Sequence, residues 1–160
     1  MKKALLAAVL LGTSLWTAGV GATDDKVYPG AGCVKEGTTG TPLVDDRGRI
    51  WNASLTEWLW VECPIVRDDT GGVVDDADLY AYDLHYSNNI TCTLYGWNRE
   101  GSGVNGISTR STSGSNSGGQ ALDFDALNWA GSDWYNVIRC GIPPMYSGNR
   151  SGISSYKIAE

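Results

Sequence analysis

The sequence is poor in the groups on which most enzyme chemistry depends. One histidine, His85, serves 160 residues. There is no Gly-x-Ser-x-Gly turn, and each of the four cysteines is expected in a bridge, so neither a Ser–His–Asp triad nor a cysteine nucleophile is anticipated. Closely spaced metal-ligand pairs are missing as well: no Cys-x-x-Cys occurs, which argues against structural zinc. Helical periodicity is hard to find, and no internal repeat is visible. Basic residues are in deficit, at 12 against 18 acids for a formal net charge of −6. An anionic chain repels phosphate backbones and anionic bilayers, so no nucleic-acid partner is expected.

A long apolar run occurs at the start of the sequence. Lys2 and Lys3 form a short positive segment, Ala4 to Val20 is almost wholly apolar or small, and Val20-Gly21-Ala22 has the small-residue pattern that signal peptidase reads. Asp24 and Asp25 follow where a stop-transfer segment would carry positive residues. Residues 1–22 therefore read as a cleavable signal peptide and 23–160 as a single β domain, secreted or placed in the periplasm or cell envelope, with no membrane insertion after cleavage. Loss of Lys2 and Lys3 leaves a net charge of about −8.

An even number of cysteines in an exported chain argues for two disulfides in an oxidising compartment. Of the three possible connectivities, Cys33–Cys63 with Cys92–Cys140 is favoured. Cys92 and Cys140 sit inside apolar strand patterns and could join facing strands of a sandwich.

What is abundant is period-2 alternation. Ile90, Cys92 and Leu94 alternate with Thr91 and Thr93; Leu59, Val61, Cys63 and Ile65 form a second apolar face, and Ile138 with Cys140 a third. Tyr80, Tyr82, Leu84 and Tyr86 are read as the inward face of another strand, which puts Asp83 and His85 on its solvent side. In 120–127, Leu122 and Phe124 alternate with Asp123 and Asp125, so a strand is favoured over a short helix. Strands are expected near 26–29, 49–54, 57–67, 73–86, 89–97, 105–111, 119–125, 133–141 and 151–158, roughly eight or nine in all. The fold class that follows is all-β: an antiparallel β-sandwich, Ig-like or jelly-roll-like. Ser87-Asn88-Asn89 is the expected hairpin turn. Residues 101–119, nearly all Gly, Ser, Thr and Asn, read as a surface loop in preference to a polar edge strand.

Two features point to ligands. Asp68, Asp69, Asp75, Asp76 and Asp78 form the best candidate for a hard cation, and calcium is the cofactor considered; solvated turns around Gly71-Gly72 are the plainer reading. More suggestive, if Leu59, Val61 and Cys63 face the core, then Trp58 and Trp60 share the opposite face with Glu62, about 7 Å apart along the strand. Aligned indoles on an outer sheet face suit the apolar C–H face of a sugar ring, with carboxylates for its hydroxyls. Burial of both tryptophans, beneath a loop or in a central strand covered on both faces, is the competing reading. Trp51, Trp97, Trp129 and Trp134 are assigned to core or rim packing. Asn52, Asn89 and Asn149 begin Asn-x-Ser/Thr sequons, read as coincidental.

The segment Val61 to Asp68 with its Cys-Pro pair, the Cys92 strand, and Cys140-Gly141-Ile142-Pro143-Pro144 followed by Ser154-Ser155-Tyr156 resemble a type of exported bacterial single-domain protein. That resemblance implies export, a β fold and disulfides. It carries no activity, substrate or catalytic residue. The functional classes are therefore ordered as follows: a non-enzymatic exported module binding glycan or a protein partner through the face of Trp58 and Trp60, then a polysaccharide-acting hydrolase using two carboxylates, then a structural or assembly protein of the envelope.

Overall fold

Alternating side chains close into strands along most of the chain. A computed structural model describes residues 25–68, 74, 76–127 and 133–159. The expected signal peptide, Asp69, Asp75 and Trp129 lie outside them. The strands are β1 (Asp25–Pro29), β2 (Val34–Glu36), β3 (Pro42–Val44), β4 (Ile50–Asn52), β5 (Leu59–Ile65), β6 (Asp76–Asp83), β7 (Thr91–Asn98), β8 (Val104–Ser111), β9 (Asn116–Phe124), β10 (Trp134–Ile142) and β11 (Gly152–Ala159). All pairings are antiparallel. One sheet runs β3-β4-β11-β6-β9, with β1 also on β11; the other runs β2-β5-β10-β7-β8. The molecule is an all-β antiparallel sandwich with two disulfides.

The core lies between the sheets. Leu59, Val61, Ile138, Ile142, Cys92 and Leu94 of one sheet meet Leu79, Ala81, Ile153, Tyr156 and Ile158 of the other. Leu122 and Phe124 point inward from β9, as their alternation predicts. A bulge between Ile153 and Ser155 resets the alternation of β11, so that Ile153, Tyr156 and Ile158 all face the core.

Cys33 pairs with Cys63 and Cys92 with Cys140. The second bridge does not join facing strands: Cys92 and Cys140 are register partners on the neighbouring strands β7 and β10. Several other expectations are corrected. Ser87-Asn88-Asn89 is a crossover, because β6 belongs to one sheet and β7 to the other. On β6 the inward residues are Leu79, Ala81 and Asp83, while Tyr80 is 38 % exposed. Both faces of that strand carry apolar atoms, so period 2 does not say which is inside. Small side chains fit between the sheets, and the Tyr80 hydroxyl finds an acceptor outside, donating to the Gly118 carbonyl at 2.8 Å.

His85 is buried rather than solvent-side. Its Nδ1 accepts the backbone N–H groups of Ser87 and Asn88 at 3.1 and 2.9 Å, and its ring lies 5.0 Å from that of Tyr146. Much of 101–119 is sheet, which bears out the strand expected near 105–111 and overturns the surface-loop reading: β8 and the start of β9 lie there. Its polar side chains pair across the ladder, Thr91 with Ser111 at 2.9 Å and Thr93 with Thr109 at 3.0 Å, in place of apolar contacts. The three-residue strands β2 and β3 are too short to announce themselves by alternation.

Candidate functional site

Burial of Leu59, Val61 and Cys63 turns the other residues of β5 to the outer face of its sheet. Trp60 stands there 40 % exposed, and Trp58, just before the strand, is half-buried beside it. The Trp60 indole lies flat on β10 because its register partner there is Gly141. A Cβ at that position would come within 3.0 Å of the ring. The two tryptophans, with Glu57, Thr39, Thr56 and Thr91, line an open cleft of about 590 Å³.

A buried asparagine assembles the cleft wall. The Asn52 amide donates to the carbonyls of Glu57, Ile142 and Pro143 at 2.8, 3.1 and 3.1 Å, and its carbonyl oxygen accepts from the backbone N–H of Ser54 at 3.0 Å. One fully buried side chain thereby fixes the approach to β5 against the end of β10. That saturation also leaves the Asn52 sequon unavailable in the folded chain. Gly40, at φ +73°, runs close against Leu59, where a Cβ would sit 2.6 Å from the Leu59 Cα, and its N–H donates to Glu57 Oε2 at 3.1 Å.

The same outer face continues along the sheet. Next to Trp60, Arg139 places its guanidinium 5.3 Å from the indole centroid and is held in a fork by Glu36, at 2.5 and 2.7 Å. At the far end Tyr95 and Trp97 pair with centroids 5.9 Å apart, and Tyr135 is 45 % exposed. Trp97 is thus a member of the outer face. The sequence signal that could have found it is its parity with Thr91, Thr93 and Tyr95, opposite to Cys92 and Leu94.

The other sheet also carries aromatics outside, in a self-satisfied cluster. The Arg49 guanidinium lies 4.8 and 5.5 Å from the rings of Trp51 and Tyr82. Asp45 accepts from Arg49 Nε at 2.7 Å and Trp51 Nε1 at 3.0 Å, and the Arg49 guanidinium beside it holds its carboxyl well below the usual carboxylate range. These groups have their partners within the chain.

Of the acid-rich stretch, Asp68, Asp76 and Asp78 are among the described residues. Asp68 pairs with Lys26 at 2.9 Å, and Asp76 with Lys157 at 3.9 Å. Burial, then the neighbouring Asp76 and Asp123, push the Asp78 carboxyl up. Among the described residues no cluster of three or more His, Cys, Asp or Glu side chains is placed to hold a metal ion.

No protein-family model matches the chain, and no curated protein does. Solved structures are similar to it in fold. The CBM36-1 domain of a multidomain xylanase from the hindgut metagenome of Trinervitermes trinervoides has 14% sequence identity over 84% of this chain and 96% of its own, with a TM-score of 0.51. The xylan-binding module CBM86 from Roseburia intestinalis has 11% identity over 84% of this chain and 94% of its own, with a TM-score of 0.47. A CBM36 module in complex with calcium and xylotriose has 6% identity over 84% of this chain and 99% of its own, with a TM-score of 0.49. Two disulfides are compatible with an extracellular location, and no helix among the described residues is long and apolar enough to cross a membrane.

Proposed function

We propose that this chain is an exported, non-enzymatic carbohydrate-binding module that stacks a sugar on Trp58 and Trp60, following removal of residues 1–22. The observation that carries the reading is the convergence of both tryptophans on one open cleft of about 590 Å³ ringed by the hydroxyls of Thr39, Thr56 and Thr91 and the carboxyl of Glu57. An exposed indole flat against a glycine-backed strand offers a broad apolar face. The pyranose C–H face matches it, and the ring of hydroxyl and carboxyl groups meets the sugar hydroxyls. The β-sandwich it shares with the CBM36-1 domain of a xylanase supports the same reading.

Binding of the oxidised protein to insoluble polysaccharides and a glycan array tests it. Saturable binding is expected, with Trp58→Ala/Trp60→Ala weakening it by roughly thirtyfold or more, the effect of removing an aromatic anchor worth about 2 kcal/mol. Unchanged binding by that variant, with its thermal transition intact, refutes the site. Runs with calcium and with a chelator separate any contribution of the acid-rich stretch from that of the tryptophans.

A further inference from the structure

The outer face of the β2-β5-β10-β7-β8 sheet presents its side chains in four rows. Trp60, Gly141 and Thr91 form the first; Glu62, Arg139 and Thr93 the second; Pro64, Val137 and Tyr95 the third; Tyr135 and Trp97 the fourth. Alternate residues of a strand are separated by about 6.7 Å, so the first and fourth rows stand about 20 Å apart. Each end of this track is aromatic. The large cleft at Trp58 and Trp60 occupies one, and a hollow of about 200 Å³ bounded by Trp97, Tyr135 and Glu62 occupies the other.

Charge along the track is uneven. Arg139, in the second row, is neutralised by the Glu36 fork. Glu62 stands directly opposite it on β5, and its carboxyl makes no hydrogen bond or ion pair among the described residues. A carboxylate with no partner among the described residues thus lies between the two aromatic platforms, one row from Trp60 and on the rim of the hollow at Trp97 and Tyr135. Vicinal hydroxyls can donate to such a group; a carboxylated or sulfated sugar is repelled by it.

We infer that the binding site is an extended track along β10, which holds an internal stretch of a neutral glycan chain: one sugar on Trp58 and Trp60, a second on Trp97 and Tyr135, and Glu62 accepting hydroxyl hydrogen bonds between them. The inference rests on the carbohydrate-binding reading of Trp58 and Trp60 and adds length, direction and charge selectivity to it. Both ends of the track are open hollows on a sheet surface, so it selects chain interior over chain terminus.

Titration calorimetry with cello-, xylo- and manno-oligosaccharides from disaccharide to hexasaccharide, and with oligogalacturonates as the anionic series, tests it. Affinity is expected to climb with length up to the hexasaccharide in one neutral series and to be at least roughly tenfold weaker for the oligogalacturonates. Tyr135→Ala and Trp97→Ala should each weaken hexasaccharide binding by roughly tenfold while leaving disaccharide binding within about twofold. Tyr135, nearly half exposed, is the variant least able to disturb the fold. Glu62→Gln should narrow the gap between neutral and anionic series. A hexasaccharide bound no more tightly than a disaccharide, or one insensitive to Tyr135→Ala and Trp97→Ala, overturns the track while leaving the Trp58 and Trp60 site in place. Oligogalacturonates bound as well as neutral chains overturn the role given to Glu62. If no saccharide or polysaccharide binds the unaltered protein, the module reading itself fails, and the track falls with it.

Discussion

Tyr156 shows how much one side chain can bind together. It is 2 % exposed, stacks on Tyr28 at 5.1 Å, and donates its hydroxyl across the sandwich to the Pro64 carbonyl at 2.8 Å. Burial, with a smaller contribution from Tyr28, pushes its phenol up to about 12 from the ordinary value of 10.0. Between those two values the folded chain keeps a proton that the unfolded chain has released. Stability therefore falls as pH rises through that window, by up to roughly 2–3 kcal/mol. Urea midpoints on either side of about pH 10 should show this decline, and Tyr156→Phe, though less stable at neutral pH by about 1 kcal/mol for the lost hydrogen bond, should decline less steeply. Equal alkaline slopes in the two proteins would rule out Tyr156 as the source.

Between elements, the joint that matters most is the end of β6. Asp83 is fully buried and accepts hydrogen bonds from the N–H groups of His85 at 3.0 Å and Ile90 at 3.3 Å, from Ser151 Oγ at 3.1 Å, and from the Thr112 hydroxyl. Those donors lie in the crossover to β7, just past β8, and just before β11, so one carboxyl group locks segments of both sheets. Truncation leaves several buried donors unpaired at about 1–3 kcal/mol each. Asp83→Ala should therefore lose at least about 3 kcal/mol in chemical denaturation, with Asp83→Asn intermediate. A loss below about 1 kcal/mol would mean that the crossover is held by other contacts.

For the molecule as a whole, the bridges set the margin of stability. They close loops of sequence separation 30 and 48. In the chain-entropy account each removes roughly 3–4 kcal/mol of freedom from the unfolded chain. Cys92→Ala/Cys140→Ala should lower the unfolding free energy by about that amount, a large share of what a domain of this size possesses. A thermal transition unmoved by the double substitution would show that the sandwich stands without its bridge. The outer face proposed to bind glycan is expected to survive in a variant that still folds, because Trp58, Trp60, Trp97 and Tyr135 point away from the core in which the bridge lies.

The sequence by itself determined the class of the fold and the outward placement of Trp60 and Glu62. Alternation over Leu59 to Ile65 is unambiguous: one parity is apolar throughout, and only that parity can be buried. The same argument was undecided on β6, where tyrosines alternate with Leu and Ala. It read β8 two ways, as a strand near 105–111 and as part of a polar surface loop, because its Ser, Thr and Gly residues join a sheet by backbone pairing and hydroxyl ladders. Tertiary structure alone decided that His85 and Asp83 are interior, that Ser87-Asn88-Asn89 crosses between sheets, and that Cys92 and Cys140 are neighbours within one sheet. It alone brought Tyr135 and Trp97 onto the face of Trp60. Register between strands distant in sequence fixes which side chains share a surface, and no local pattern of residues carries that register.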